Sequence, residues 1–190
     1  MDYEALERVL GHTFQDKALL ETALTHTSFA NEARHGTKHN ERLEFLGDSV
    51  LSIVVAEYLF THSSLPEGDL TRMRASLVCE AALFTFAQKI GLGRWLRLGH
   101  GEEMGGGRTR PSVVSDAFEA VIAALYLDGG IDAARAFILP FVTSALTKQS
   151  AEEDYKTKLQ EVVQQNPSER LRYVVASQTG PDHDKHFVVE

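Results

Sequence analysis

Basic charge is what this 190-residue chain is short of: 19 Lys and Arg stand against 27 Asp and Glu, a formal net charge of −8. A module that holds polyanions by charge alone leaves a basic footprint, and that class is disfavoured. An acidic site compensated by bound cations escapes the exclusion. Cysteine is nearly missing too. Cys79 alone excludes an intrachain disulfide and a Cys-based zinc cluster, and its mostly apolar neighbours predict a small buried or half-buried side chain. No apolar run approaches the roughly 20 residues that span a bilayer, and Met1-Asp2-Tyr3-Glu4 has neither the basic start nor the apolar core of a signal segment. A cytoplasmic protein without a membrane partner is expected. Internal repeats and low-complexity stretches are not evident, and a hydrophobic content of 43% suits one ordinary domain with a small appendage.

From Tyr3 to about Leu146 the apolar spacing is helical, which predicts an all-α domain. Breaks are expected at Gly11-His12-Thr13, from His35 to Lys38, from Ser63 to Gly68, at Gly91-Leu92-Gly93 and across Gly99 to Gly107. Asn40 is a candidate cap, Gly68 or Asp69 a helix start, and Pro111 with Ser112 the opening of a further helix that Gly129-Gly130 stops. Pro140 should kink or divide the helix after it. Between Thr147 and Asp154 the chain turns polar and acidic, which reads as a linker, and Tyr155 to Gln165 is amphipathic again. Leu171 to Gln178 reads as a strand, Gly180-Pro181-Asp182 as a turn, and Phe187-Val188-Val189 as the start of a second strand. The expected division is 1–147, a linker at 148–154, and 155–190.

The run from Asn40 to Leu51 concentrates chemistry. At roughly 100° per residue, Glu41, Glu44 and Asp48 fall within about 60° of one another, with Leu43, Leu46, Val50 and Ile53 across the helix. Gly47 and Asp48 are poor mid-helix residues, costing roughly 1 and 0.7 kcal/mol against Ala. Such a broken local rule is expected where stability is traded for chemistry. Asp116 and Glu119 form a second pair at i, i+3, sharing their side with Ala120 and Ala123, while Phe118, Val121, Ile122 and Leu125 occupy the other. Small alanines permit close helix approach. If the two helices pack together, five carboxylates converge and their repulsion must be relieved by cations. Hard oxygen donors favour Mg2+ or Mn2+ over zinc, and metal-assisted phosphodiester hydrolysis suits such a site. Two blander accounts stay open: solvated helix faces, or structural ion pairs with Arg42, Arg72 or Arg74.

Phe45 breaks the pattern by projecting near the acidic side, so it needs a partner, for which a neighbouring loop of its own chain is the bland candidate. His26 more readily ties its own loop to the core than it serves chemistry, and neither His26 nor His39 is assigned a catalytic role.

The Asn-Glu-Arg-Leu-Glu-Phe-Leu-Gly-Asp-Ser-Val-Leu run from Asn40 to Leu51 resembles the signature of the bacterial ribonuclease III family, which cleaves double-stranded RNA. Ala23 to His26, Asn31-Glu32, Glu67 to Leu70, Arg74 to Val78, Ser115 to Ala120 and Ala124 to Gly130 follow the same pattern in order. The resemblance implies an all-α endonuclease domain over 1–147, acting as a homodimer on double-stranded RNA with Mg2+, or Mn2+ in its place, and no small-molecule cofactor. It places Glu41, Glu44, Asp48, Asp116 and Glu119 in the acidic site. Asp48 and Glu119 are expected as direct metal ligands, Glu44 and Asp116 as direct or water-mediated ones, and Glu41 with the outlying Glu67 as orienting groups. Phe45 would insert into the facing subunit. Arg108 and Arg110, after the glycines of the Gly105 to Gly107 run, could touch RNA backbone. Products with 5′-phosphate and 3′-hydroxyl ends and short 3′ overhangs are implied, as is processing of rRNA precursors and structured mRNAs. Thr157 to Glu161 and Gly180 to Lys185 resemble the first half of an α+β double-stranded RNA-binding domain, with Gln160, Glu161 and His183 at its minor-groove positions. The given sequence reaches Glu190 before that module's third strand and closing helix. A noncatalytic double-stranded-RNA-binding protein of the same fold, a small helical phosphohydrolase and a helical scaffold are the competing readings, and intact acids at all five positions favour the nuclease.

Overall fold

The computed structural model describes residues 3–33, 36–164, 175–179 and 186–189, with backbone alone for 149–164 and, Ser177 apart, for the last two segments. The chain divides into two compact units, Met1–Ala145 and Leu146–Glu190. Along it run α1 (Tyr3–Leu10), α2 (Lys17–Ala23), α3 (Thr27–Glu32), α4 (Glu41–His62), α5 (Glu67–Val78), α6 (Glu80–Lys89), α7 (His100–Met104) and α8 (Pro111–Gln164), with 3-10 turns at Leu92–Trp95 and Gly107–Thr109. Four of the five expected breaks separate helices, although α5 already begins at Glu67, and the fifth, Gly99 to Gly107, contains α7. Two more, at 24–26 and at Cys79, carry no glycine or proline to announce them.

In the first unit the centre is α8. Val113, Val114, Ala117, Phe118 and every residue from Ala120 to Leu125 are buried, so this stretch is enclosed on all sides rather than amphipathic. Phe118 meets Phe86 of α6 and, further along α8, Phe137 and Phe141, with ring centroids 5.3 to 6.1 Å apart. The return that lets one helix pack on itself is Gly130, whose φ of 75° and ψ of −175° break the helical path. A positive φ of this kind is open to glycine and strained for other residues. The stop expected at Gly129-Gly130 is where the backbone departs, whereas Pro140, expected to kink or divide the helix that follows, lies within unbroken helical backbone. Asp128, just before that turn, accepts the Asp16 N–H at 2.8 Å and the Gln15 N–H at 3.1 Å, and meets His12 Nε2 at 2.8 Å. The loop between α1 and α2 is thereby pinned to α8.

Four expectations need correction. Asn40 stands at the start of α4 without capping it through its side chain. It is buried, its N–H donates to the Thr25 carbonyl at 2.9 Å, and its own carbonyl accepts from Leu43 and Glu44. Ile53 is 60% exposed instead of facing the core, which Leu43, Val50, Leu51, Val54 and Val55 fill. Cys79 is exposed, because it occupies the corner between α5 and α6 and not a helix face. The polar stretch read as a linker carries helical backbone. Its charged residues are as compatible with a solvated helix as with a coil.

In the second unit β1 (Val175–Thr179) and β2 (His186–Val189) pair antiparallel, Thr179 opposite His186 and Gln178 opposite Phe187, with an irregularity between Val175 and Ser177. The expected turn at Gly180 to Asp182 and the start of the first expected strand, 171–174, lie outside the described residues.

What positions the acids is one close contact. Gly47, buried in mid-α4, lies so near α8 that a Cβ there would sit 1.8 Å from the Glu119 carbonyl oxygen. Backbone cannot yield to that as a flexible side chain can. Gly47→Ala should therefore lower stability by about 1–3 kcal/mol, despite the roughly 1 kcal/mol that alanine gains over glycine in a helix. A urea midpoint that rises in the variant would show that the helices are free to separate.

Candidate metal centre

The approach at Gly47 brings two i, i+3 or i, i+4 acid sets face to face. Carboxylate oxygens of Glu44 from α4 and of Asp116 and Glu119 from α8 all lie within 4.8 Å of one another, each side chain half-buried. Among the described residues this is the one group of His, Cys, Asp and Glu side chains close enough to share a cation. Asp48, expected with Glu119 as a foremost ligand, is exposed and outside the trio, yet it is the largest charged influence on Glu119. Glu41 is also exposed and turns toward His39, its Oε2 3.7 Å from Nδ1. Glu67 opens α5 and accepts a hydrogen bond from Thr71 at 2.8 Å.

Burial and mutual repulsion raise the carboxyl groups of the trio. Burial, then the carboxylates of Asp48, Glu44 and Asp116, push Glu119 up to about 8. Glu44 is raised by burial and by Asp116 and Glu41. Asp116 is raised by burial and by Glu80, with His26 pulling the other way. Neither Glu80 nor His26 was read from the sequence as part of this group. Glu80 is far from Asp116 along the chain and belongs to no acidic pattern, so only the packing of α6 reveals it.

The two bland readings are answered by the same geometry. Glu44, Asp116 and Glu119 converge instead of spreading over solvated faces, while Glu41 and Asp48 stay exposed beside them. Among the described residues, no arginine pairs with any of the five; Arg72 pairs with Asp69. Oxygen donors, short separations and raised pKa values fit a hard divalent cation.

Other candidates fall elsewhere. Phe45 is 79% exposed, which removes the reading that it tucks beneath its own chain. Arg108, expected at RNA, is committed within the protein: Nη1 donates to the carbonyls of Gly93, Arg94 and Leu96 at 2.9 to 3.2 Å, and Nε to Glu103 at 2.6 Å. Arg110 likewise holds Glu102 and the Gly105 carbonyl. Both guanidinium groups build the loop they stand on. His183 lies outside the described residues, as do the side chains of Gln160 and Glu161.

Residues 16–146 match a family model described as Ribonuclease-III-like. Ribonuclease 3 of Oceanobacillus iheyensis is 46% identical over the whole of this chain, which spans 85% of that protein. Ribonuclease 3 of Caldanaerobacter subterraneus is 48% identical over 97% of this chain and 83% of its own length. Among solved structures, the nuclease domain of ribonuclease III from Campylobacter jejuni, described with a flexible region involved in dimer formation, superimposes with a TM-score of 0.69 at 42% identity. It covers 75% of this chain and 97% of that domain.

Glu119 has an ordinary value of 4.5 and a folded value of about 8. Between those pH values the folded chain binds more protons than the unfolded one, so stability falls as pH rises through the window. Glu119→Gln removes that loss. With solvent screening part of the charge, about 1 kcal/mol is expected at pH 9 without divalent cations, equivalent to about 2–4 °C in Tm for a chain of this size, and almost nothing at pH 4.5. Melting curves giving the same gain at both pH values would contradict the origin assigned to the shift.

Proposed function

This chain belongs to the ribonuclease III family, and on that premise we propose that Glu44, Asp116 and Glu119 form the cation site of its nuclease, with Mg2+ the working ion and Mn2+ able to replace it. The chain is an endoribonuclease, a phosphodiester hydrolase acting on double-stranded RNA. The observation that carries the site assignment is the convergence of three carboxylates within 4.8 Å from two rigid helices. Bound there, divalent cations supply charge stabilisation at the scissile phosphate and a lowered pKa for the attacking water.

The protein's own part is positioning. Glu44, Asp116 and Glu119 offer acceptor oxygens on helices locked together at Gly47, so little reorganisation is needed when substrate arrives. Glu119 would hold a cation only as the carboxylate, so cation affinity is expected to rise with pH up to about 8. Asp48 stands beside Glu119 and exposed, placed to join the coordination or to hold a water at its outer edge. Glu41, also exposed, orients water or substrate from the same helix. Water attacks the phosphorus and the 3′ oxygen departs, which leaves 5′-phosphate and 3′-hydroxyl ends, and no covalent protein intermediate is required. Ribosomal RNA precursors and structured mRNAs are the substrates this reading favours. A noncatalytic RNA-binding role is not favoured.

Cutting both strands calls for two such sites, and a two-fold homodimer supplies them. The 79% exposed Phe45 beside the acids and the 60% exposed Ile53 further along α4 support a subunit contact on that helix. The stretch 155–190, after 1–147 and 148–154, is read as the opening of a double-stranded RNA-binding domain. Its helical backbone to Gln164 and its antiparallel β1 and β2 support that reading.

Wild-type protein should cleave a long RNA duplex only with Mg2+ or Mn2+, and Glu119→Gln should lose at least about 100-fold in rate. Cleavage by the folded variant at the wild-type rate would remove Glu119 from the site. Phe45→Ala should shift the protein toward monomer in sedimentation velocity at micromolar concentration and below, and an unaltered dimer would refute the α4 contact.

A further inference from the structure

His39 and Glu41 stand at the foot of the acidic helix, on either side of the buried Asn40. The Asn40 N–H donates to the Thr25 carbonyl at 2.9 Å, and its own carbonyl accepts the Glu44 N–H at 2.9 Å, so the backbone between the two side chains is fixed. His39 Nδ1 is enclosed by protein and has no hydrogen-bond partner among the described residues. Enclosed polar atoms are nearly always bonded in folded proteins, and the exceptions concentrate at working positions. The acid beside this nitrogen is Glu41, whose Oε2 lies 3.7 Å away, just beyond hydrogen-bond length. Among the described residues, no other cationic side chain comes within ion-pair distance of that carboxylate.

Of the two groups, Glu41 is the one with room to move. Its side chain is 58% exposed, and a small rotation about its own bonds brings the oxygen onto Nδ1. The ring is the fixed half: Nδ1 is enclosed, so its 35% exposure lies on the other edge, at a cavity that Arg42, Leu43 and Leu46 also line. Beside a carboxylate the neutral imidazole keeps its hydrogen on Nδ1 and leaves Nε2 as the outward acceptor. Glu41 and Glu44 are neighbours at i, i+3 on one stripe of α4, so the angle at which Glu41 is held sets what it presents to the cation site.

We propose that His39 is a positioning residue: its Nδ1–H bonds the Glu41 carboxylate and holds it at the edge of the cation site, outside the trio, where Glu41 orients water or substrate. This rests on the cation-site reading above. Three variants separate positioning from packing. His39→Asn keeps an N–H where Nδ1 stands, His39→Gln moves it to the place of Nε2, and His39→Ala has none. Cleavage of a short RNA duplex is followed in single turnover with protein in excess and Mg2+ saturating, alongside Mn2+ binding by electron paramagnetic resonance and melting temperature. His39→Ala and His39→Gln should cut about 10-fold more slowly with Mn2+ binding at the wild-type level, and His39→Asn should recover most of the rate. In Glu41→Ala protein, itself slowed, His39→Ala should slow cleavage no further. Wild-type rates in His39→Ala or in Glu41→Ala, equal losses in His39→Asn and His39→Gln, or losses that add in the double variant would overturn the proposal. Wild type that neither binds Mn2+ nor cuts would overturn the cation-site reading itself.

Discussion

The site depends on two helices being closer than side chains normally allow. At Gly47 the surface of α4 is bare backbone, and the Glu119 carbonyl of α8 fills the space where a Cβ would be. Any larger residue would push the helices apart, and the acids on either side of the contact would separate with them. Because Glu44 and Asp48 flank Gly47 on α4 and Asp116 lies one turn before Glu119 on α8, a single steric condition sets the geometry of the whole group.

That arrangement stores unfavourable electrostatics. Half-buried carboxylates raise one another, and Glu119, the most affected, holds a proton to about 8. The surrounding structure carries the cost: α8 is buried around its full circumference from Ala120 to Leu125, its phenylalanines pack on one another, and Asp128 ties the α1–α2 loop to it. A rigid, apolar helix can hold charges together that a mobile loop would let drift apart. On the proposed reading a divalent cation would relieve that repulsion, so the feature that weakens the fold by itself would tighten ion binding.

Much of this was legible from residue order. Helical periodicity located the helices, glycine and proline clusters located most breaks, and the spacing of Glu41, Glu44, Asp48, Asp116 and Glu119 singled out the acids. The failures have physical reasons. Gly47 reads in one dimension as a weak helix position given up for chemistry, whereas it is a packing device. Gly129-Gly130 reads correctly as a stop, but Pro140, which reads as a second breaker, leaves the helix around it unbroken. Arg108 and Arg110 look like free cations near a flexible run, yet the carbonyls of Gly93, Arg94 and Leu96 and the acids of α7 claim them.

The sequence by itself determined which faces of α4 and α8 carry charge, because the period of a helix converts spacing directly into direction. It determined the donor chemistry as well, since only carboxylate oxygens recur on those faces. Tertiary structure decided which acids meet. Glu44, Asp116 and Glu119 form the close trio while Asp48 and Glu41 stand outside it, and Glu80 and His26 join the surroundings of Asp116 from distant elements. Distances between helices depend on how far each side chain lets its neighbour approach, a property of pairs of surfaces that no single stretch of sequence contains.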